Sequence, residues 1–202
     1  MKRASTRTRT DHRKLPRPGG RTARTTAAVL DAAFRLLVAR GLRNLSIAEV
    51  ADASGVHETT IYRRWKTVNA LALDACLRSA SIAVPPPRRG SLQADLVALI
   101  RSIIKLLEEP AGKAMLDICR IDDPEVAKVR AAFFATRFAA TDVLFDHAVD
   151  RGEWDDRFDR RRLLALLVAP IYMRALVTQE SLRSWPVAET VSIVLRGIGV
   201  RK

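Results

Sequence analysis

Residues 47–65 read IAEVADASGVHETTIYRRW, a run that combines two helical stretches with a turn between them. Ala51 is a small residue of the kind needed where two helices cross, and Gly55, four residues later, allows the positive φ of a tight turn. Val56 and Ile61 are apolar residues that can fix the second stretch against the first. This order predicts a helix-turn-helix, and an ordinary helical hairpin is the alternative because similar spacing also arises by chance.

The second helix of this unit is predicted over Glu58 to Trp65. With Val56 and Ile61 turned inward, its other side chains form a polar face that fits the major groove of DNA. Threonine can touch a thymine methyl group or a phosphate there, and arginine can pair bidentately with guanine. The outward residues are His57, Glu58, Thr59, Thr60, Tyr62 and Arg63.

Helical periodicity continues on both sides of the unit. Apolar residues recur at three- and four-residue intervals from Thr22 to Ala39, and Gly41 then ends that helix. Ser46 and Glu49 have the spacing of a capping box. Because no stretch alternates like a strand and no repeat is found, the sequence predicts an all-α protein. The expected helices cover residues 22–39, 47–53, 58–65, 67 or 68–81, 92–107, 112–121, 124–151, 160–178 and 187–198.

The formal net charge of +13 is concentrated in the first half of the chain. Residues 1–90 contain 18 Lys and Arg against 6 Asp and Glu, a balance of +12, whereas residues 91–202 contain 17 against 16, a balance of +1. A polyanion such as DNA is the simplest partner for this asymmetry, because each neutralised phosphate releases counterions. An anionic membrane would require a basic amphipathic helix with apolar anchors, which residues 1–20 lack.

Residues 84–90 read VPPPRRG and mark the clearest break in the chain, because three consecutive prolines cannot continue a helix. We therefore expect a disordered basic arm over residues 1–20 and a three-helix helix-turn-helix domain over 21–82. A Pro-rich linker over 83–91 and a larger helical bundle over 92–202 follow. The basic arm either adds contacts to DNA or only keeps the protein soluble.

Several classes of protein are not supported by the sequence. No apolar run approaches the ~18–20 residues that cross a bilayer. The basic, polar start is unlike a secretory signal, so we expect no membrane partner and a cytoplasmic location. Cys76 and Cys119 fit neither a disulfide framework nor zinc spacing and are expected to be small core residues. His12, His57 and His147 are too scattered for a metal site or a catalytic base.

An enzyme is one competing interpretation. Asp155, Asp156 and Asp159 form a pattern that binds magnesium in all-α prenyl-transferring enzymes. Those enzymes need a second such motif, which the sequence lacks, and helix capping before Arg160 explains the acids more simply. No Gly-rich phosphate loop is present either. We therefore expect no catalytic residues, no cofactor and no metal.

A second alternative is a ligand-independent architectural DNA binder, which would not need the neutral, apolar second half.

Residues 22–75 resemble the DNA-binding domain of the TetR family, the tetracycline-repressor family of regulators. The matching stretches are VLDAAF at 29–34, Gly41, SIAEVA at 46–51, SGV at 54–56, TIYRRW at 60–65 and ALALD at 70–74. The second half is similar to one branch of the family through DRGE at 150–153, Asp159 and APIYMRALVT at 169–178. The resemblance implies a transcriptional repressor that leaves a palindromic operator in double-stranded DNA when a small effector binds.

The resemblance also implies which residues contact DNA. Thr60 and Tyr62 are expected mainly at phosphates, and Ser46 presents its hydroxyl and a helix N-terminus to another phosphate. The full set is Ser46, His57, Thr59, Thr60, Tyr62, Arg63, Arg64 and Lys66.

One position departs from the family pattern. The family usually has a lysine just inside the fourth helix, where this chain has Val68. Either Lys66 or Arg64 replaces that phosphate contact, or the contact is lost and the basic arm compensates. Trp65 is expected to fill the core of the domain, with a position against the DNA backbone as the alternative.

Two further sites in the second half are implied by the resemblance. A small hydrophobic or amphipathic effector would bind between helices, in a pocket lined by Met115, Ile118, Phe133, Phe134, Phe138 and Tyr172, although these side chains could equally be ordinary core. The polar groups that could orient it are Asp117, Arg120, Arg137 and Tyr172.

A homodimer formed through the last two helices would place two recognition helices ~34–36 Å apart, or a multiple of that. The interface residues are expected to be Leu164, Leu167, Val168, Ile171, Val191, Val194, Leu195 and Ile198.

Overall fold

The computed structural model describes residues 20–198, except for the side chain of Arg21. The basic arm predicted over residues 1–20 therefore lies outside the described residues, apart from Gly20. Between residues 20 and 198 the regular structure is entirely helical, which confirms the all-α prediction. The helices are α1 (Arg21–Arg40), α2 (Ile47–Ser54), α3 (Glu58–Trp65), α4 (Val68–Ala83), α5 (Leu92–Glu108), α6 (Pro110–Cys119), α7 (Pro124–Asp150), α8 (Arg160–Met173) and α9 (Val187–Gly197).

Most helix boundaries lie within two residues of the sequence-based expectation, and the differences at α6 and α8 have a clear physical reason. Helix α6 begins at Pro110, before the predicted residue 112, because proline suits the first helical position, where its missing N–H is not needed. The helix expected over residues 160–178 is α-helical only as far as Met173, and a π-helical turn at Arg174–Thr178 continues it. Pro170, inside α8, removes one backbone donor just before this change.

Helices α1, α2 and α3 form an N-terminal head that packs on α4. Its core contains the fully buried side chains of Val29, Val50, Ile61 and Leu71. Helix α4 also contacts α6 and α7, and eight of its 16 residues are buried. The hydrophobic core therefore runs from the head into the rest of the chain without a break.

Helices α5 to α9 form a helical body. Helix α5 contacts α6, α7, α8 and α9, so it lies at the centre of this body. Leu96 and Ile100 of α5 are fully buried, as are Phe145 of α7 and Ile171 of α8. These apolar residues recur at helical spacing, and their burial supplies the main force that holds the bundle together.

Polar contacts tie both ends of α4 to the body. At the start, Thr67 Oγ1 donates a hydrogen bond to Asp123 Oδ2 at 3.0 Å. Thr67 also caps α4 by accepting from the Ala70 N–H, and Asp123 caps α7 by accepting from two backbone N–H groups. At the other end, Arg137 Nη2 donates to the Val84 carbonyl oxygen at 2.6 Å. Both ends of α4 are therefore linked directly to α7 or to its cap.

Two acidic side chains hold the segment between α4 and α5. The carboxylate of Asp95, which is buried, accepts a hydrogen bond from the Arg89 N–H. Glu153 Oε2 accepts from the Leu92 N–H at 2.6 Å and Glu153 also pairs with Arg151. The hydrogen bond from Arg151 is the main reason why the pKa of the Glu153 carboxyl is lowered. The Pro-rich linker is thus anchored to the body at its second end.

Gly112 permits the close approach of α6 to the end of α5. A Cβ atom added to Gly112 would lie 2.0 Å from the Leu106 carbonyl oxygen and 2.7 Å from its carbon. These neighbours are backbone atoms, which cannot rotate away as a side chain can.

We expect Gly112→Ala to lower the free energy of unfolding by about 1–3 kcal/mol, because the α5–α6 corner has to shift. Urea denaturation followed by tryptophan fluorescence measures this. Gly197→Ala is the matched control, since an added Cβ there meets nothing within 4 Å and the residue is also helical. Equal stability of Gly112→Ala and the wild type would contradict the close packing.

Candidate nucleic-acid interface and effector cavity

The start of α2 is closed by a capping box between Ser46 and Glu49. Ser46 Oγ accepts a hydrogen bond from the Glu49 N–H at 3.2 Å, and Glu49 Oε2 accepts from the Ser46 N–H at 3.2 Å. The other carboxylate oxygen of Glu49 pairs with Arg40 of α1 at 2.7 Å. This confirms the predicted capping box and leaves Ser46 exposed at the N-terminus of α2.

The turn between α2 and α3 has the geometry that the sequence predicts. Gly55 has φ 69° and ψ 23°, in the left-handed region, and both Gly55 and Val56 donate their N–H groups to the Ala51 carbonyl oxygen. Ala51 is buried and Ile61 is fully buried. The small residue, the turn glycine and the apolar anchor of the helix-turn-helix therefore all occupy their expected places.

Helix α3 is anchored by two residues and exposes the rest. Ile61 and Trp65 are buried, which supports the core position of Trp65 over the alternative at the DNA backbone. Trp65 Nε1 donates to Asp74 Oδ2 of α4 at 2.7 Å. The predicted outward residues of the unit are all exposed: His57, Glu58, Thr59, Thr60, Tyr62 and Arg63, together with Arg64.

Lys66 lies in a strained turn between α3 and α4. Its φ is 59° and its ψ is −42°, and the Thr67 N–H donates to the Trp65 carbonyl oxygen at 2.6 Å across it. This is a γ-turn with a positive φ at its centre, the rarer and strained form. The exposed Lys66 side chain follows directly on Arg63 and Arg64. Val68, where the family usually has lysine, is half-buried and packs against the core.

A groove between α1 and α3 adds residues that the sequence analysis missed. Thr22, Thr25 and Thr26 of α1 line it together with Thr60, Arg63 and Arg64. Three hydroxyl-bearing residues on one helix near the basic α3 are a pattern typical of phosphate contact. The signal was present in the sequence as TARTT at residues 22–26, but its proximity to α3 follows only from the packing of α1.

The body contains an apolar cavity of about 90 Å³ between α4, α5, α6, α7 and α8. Five of the six predicted pocket residues line it: Met115, Phe133, Phe134, Phe138 and Tyr172. Ile118 does not line it but is fully buried in the core. Of the predicted polar groups, Arg137 and Tyr172 line the cavity, whereas Asp117 and Arg120 lie in a separate, open groove beside the end of α8.

The structure places most of the predicted dimer-interface residues in the core of the protomer. Five of its eight residues, namely Leu164, Leu167, Ile171, Val191 and Leu195, are buried within the protomer and leave almost no surface for a second copy. Val168, like Leu164, lines the cavity, and Val194 and Ile198 are half-buried. The apolar side chains that α8, its π-helical extension and α9 do expose are Leu166, Met173, Val177 and Ile193.

The three acids that suggested a magnesium site have other partners. Asp155 pairs with Arg157, Asp156 pairs with Arg160, and Asp159 caps α8 through two backbone N–H groups. Among residues 20–198, no group of three or more His, Cys, Asp or Glu side chains is placed to hold a metal ion.

Cys76 is buried and Cys119 is half-buried. Burial raises the pKa of the Cys76 thiol to about 12, so it stays protonated as a core residue would. None of the described helices has both the length and the apolar character needed to cross a bilayer.

A helix-turn-helix with an exposed second helix, joined to a helical body with an apolar cavity, is the architecture of a helix-turn-helix transcriptional regulator. Residues 29–75 match the bacterial regulatory proteins of the tetR family, and residues 86–194 match the tetracyclin repressor-like C-terminal domain. The chain belongs to the TetR family.

Individual relatives agree with this assignment. The HTH-type transcriptional regulator AqdR of Rhodococcus erythropolis is 34% identical over 88% of this chain and 86% of that protein. The uncharacterized HTH-type transcriptional regulator YdeS of Bacillus subtilis is 26% identical over 86% of this chain and 89% of the YdeS chain. The crystal structure of the TetR family transcription regulator SCO0332 matches with a TM-score of 0.75 and 29% identity, covering 86% of this chain and 97% of that one.

We expect Gly55→Ala to lower the free energy of unfolding by about 1–2 kcal/mol, because only the left-handed backbone opposes the new Cβ. An added Cβ at Gly55 meets nothing within 4 Å, so no clash contributes. Gly55→Asn is the matched control, since asparagine tolerates this conformation better, and it should be less destabilising than alanine. Urea denaturation distinguishes the two. An Asn variant as unstable as the Ala variant would show that backbone conformation is not what Gly55 provides.

Proposed function

We propose that the protein is a repressor that binds a palindromic operator as a homodimer and leaves it when a small molecule enters the body. The observation that carries the proposal is the exposed polar face of α3, which Ile61 and Trp65 anchor from behind. A helix fixed in this way can enter the major groove without losing its orientation, because its inward side chains remain packed.

The DNA contacts are assigned from exposure and position. Thr59 and Arg63 are proposed to read base edges in the major groove, and Thr60 and Tyr62 to contact phosphates. Ser46 is proposed to turn its hydroxyl, which here donates to Glu49 Oε2 at 3.0 Å, and the N-terminus of α2 toward another phosphate. His57, at the N-cap of α3, is proposed to contact either a base or the DNA backbone.

Lys66 and Arg64 are proposed to supply the phosphate contact that Val68 cannot make. Both side chains are exposed, and the γ-turn at Lys66 holds its backbone in a fixed direction. The Arg64 guanidinium lies 5.2 Å from the centre of the Trp65 ring, which also limits its motion.

A homodimer is proposed to form through the exposed side of α8 and α9. Leu166, Met173 and Ile193 are each about half exposed, and Val177 is 65% exposed. Their burial against a second copy would remove apolar surface from water. A two-fold axis through this surface would present two α3 helices to a symmetric DNA site.

The remaining parts of the proposal concern the body and the location of the protein. The body carries the effector cavity and the dimer surface, and residues 84–91 connect it to the head. We propose that the protein acts in the cytoplasm as a regulator and not as an enzyme.

We expect Arg63→Ala and Tyr62→Ala each to weaken binding to the cognate operator by about 10- to 100-fold, equivalent to about 1–3 kcal/mol per lost contact. The operator is first selected from a random DNA pool with the wild-type protein, and affinity is then measured by fluorescence anisotropy. Arg101→Ala is the matched control, because Arg101 is an exposed arginine on α5 of the body.

Loss of base preference should accompany Arg63→Ala, whereas Tyr62→Ala should weaken binding to all sequences alike. If both variants bind with wild-type affinity and selectivity, α3 does not read DNA. Binding by the wild type without any sequence preference would favour an architectural DNA binder.

We expect Ile193→Glu and Leu166→Glu to convert the dimer to a monomer, because each places a charge in an apolar interface. Light scattering after size-exclusion chromatography measures the molar mass. Ile82→Glu is the matched control, since Ile82 is 71% exposed but lies near the end of α4. Dimers in both interface variants would place the interface elsewhere.

A further inference from the structure

The apolar cavity has one feature that a simple core defect would not have. Among its lining residues, Arg137 is the only charged side chain, and it lies among phenylalanine rings of α7. Within the described part of the chain, no carboxylate forms an ion pair with Arg137. Its hydrogen bond goes instead to the neutral Val84 carbonyl oxygen at 2.6 Å. A half-buried guanidinium whose hydrogen bond goes to a neutral carbonyl oxygen is suited to bind an anionic ligand as well.

The other polar groups at the cavity do not supply the missing charge. Burial raises the pKa of Tyr172 to about 12, so the phenol is neutral and can donate a hydrogen bond. Thr141 donates its hydroxyl to the Phe138 carbonyl oxygen and is already satisfied. Burial lowers the pKa of Arg137, yet an arginine remains protonated at neutral pH. The cavity therefore combines a cation and a phenol donor with walls that are otherwise almost entirely apolar.

We propose that the effector is an organic monoanion with an aromatic body and one carboxylate. The body would lie among Phe133, Phe134 and Phe138, and the carboxylate would accept hydrogen bonds from Arg137 and Tyr172. This inference rests on the proposed function, in which the cavity is the effector site. A guanidinium has five N–H donors in a planar fork, which matches a carboxylate better than a single carbonyl oxygen.

The position of Val84 connects this site to the head. Val84 is the C-cap of α4, and its carbonyl oxygen accepts the Arg137 hydrogen bond. A charge-assisted, bidentate pair that includes Nη2 would replace the weaker bond to the neutral Val84 carbonyl oxygen, and in the proposal this draws Arg137 away from α4. The end of α4 then loses its hydrogen bond to α7. Because Asp74 of the same helix holds Trp65 of α3, a shift of α4 changes the orientation of the recognition helix.

The size of the cavity favours the same sequence of events. Its volume is about 90 Å³, whereas an engineered apolar cavity that binds benzene measures ~150 Å³. An aromatic acid therefore needs more room than the cavity offers, and we expect the helices around the cavity to move apart when the acid binds. Binding and displacement of α4 are then coupled, as an effector that releases DNA requires.

The test uses matched pairs of acids and amides, which differ in charge but hardly in shape. Benzoate and benzamide, 1-naphthoate and 1-naphthamide, and 4-phenylbutyrate and 4-phenylbutanamide are titrated into the full-length protein by calorimetry. We expect at least one acid to bind about ten-fold or more tightly than its amide, and Arg137→Gln to abolish that preference. Arg120→Gln is the matched control, because Arg120 is exposed and lies outside the cavity.

A second measurement separates effector binding from a purely structural role. If Arg137 only supports Val84, Arg137→Met should lower the melting temperature and the wild type should not prefer acids. If the proposal holds, the wild type prefers acids whatever the melting temperature of Arg137→Met, because that variant loses the hydrogen bond to the Val84 carbonyl oxygen in either case. The preferred acid should also release selected operator DNA from the wild type and not from Arg137→Gln.

Three results would overturn the proposal: no acid of the panel binds at millimolar concentration, amides bind as tightly as acids, or Arg137→Gln retains the preference. None of these bears on operator binding, which the Arg63 and Tyr62 variants test separately. A protein that binds its operator but shows no acid preference would thus keep the proposed repressor and lose this effector class.

Discussion

Helix α4 has to bury apolar side chains against the head and against the body, and the coupling of these two parts depends on that requirement. Its sequence, ALALDACLRSA at residues 70–80, is apolar over most of its surface, as expected for a helix covered on more than one side. Asp74 fixes Trp65 of α3, and the residues flanking α4, Thr67 and Val84, are hydrogen-bonded to the body. A displacement at the cavity can therefore reach α3 through packed side chains and direct hydrogen bonds.

The parts of the structure that obey local rules could be predicted from the sequence. The capping box at Ser46 and the left-handed Gly55 each depend on a few neighbouring residues whose chemistry has one favourable outcome. The burial of Ile61 follows from helical periodicity. The exposed face of α3 then results by exclusion, because side chains that do not pack inward must face solvent or DNA. The helix boundaries were predicted well for the same reason.

The parts that depend on packing between distant segments could not be predicted. An apolar stripe such as Leu164, Leu167 and Ile171 shows that a helix buries one side, but not whether its own core or a second copy covers it. The more apolar stripe faces the protomer core, and weaker apolar positions such as Leu166 and Ile193 are left exposed. The strained turn at Lys66 was also missed, because a non-glycine residue gives no signal for a positive φ. Likewise, only the fold shows that Arg137 meets Val84.

The claim that α3 reads the major groove is tested most directly by dimethyl sulfate protection of a selected operator on both strands. This reagent modifies guanine N7 in the major groove and adenine N3 in the minor groove. The account predicts two groups of protected guanines, related by two-fold symmetry and centred about 10 base pairs or a multiple of that apart. Protection restricted to adenine N3, or a single group without symmetry, would contradict it.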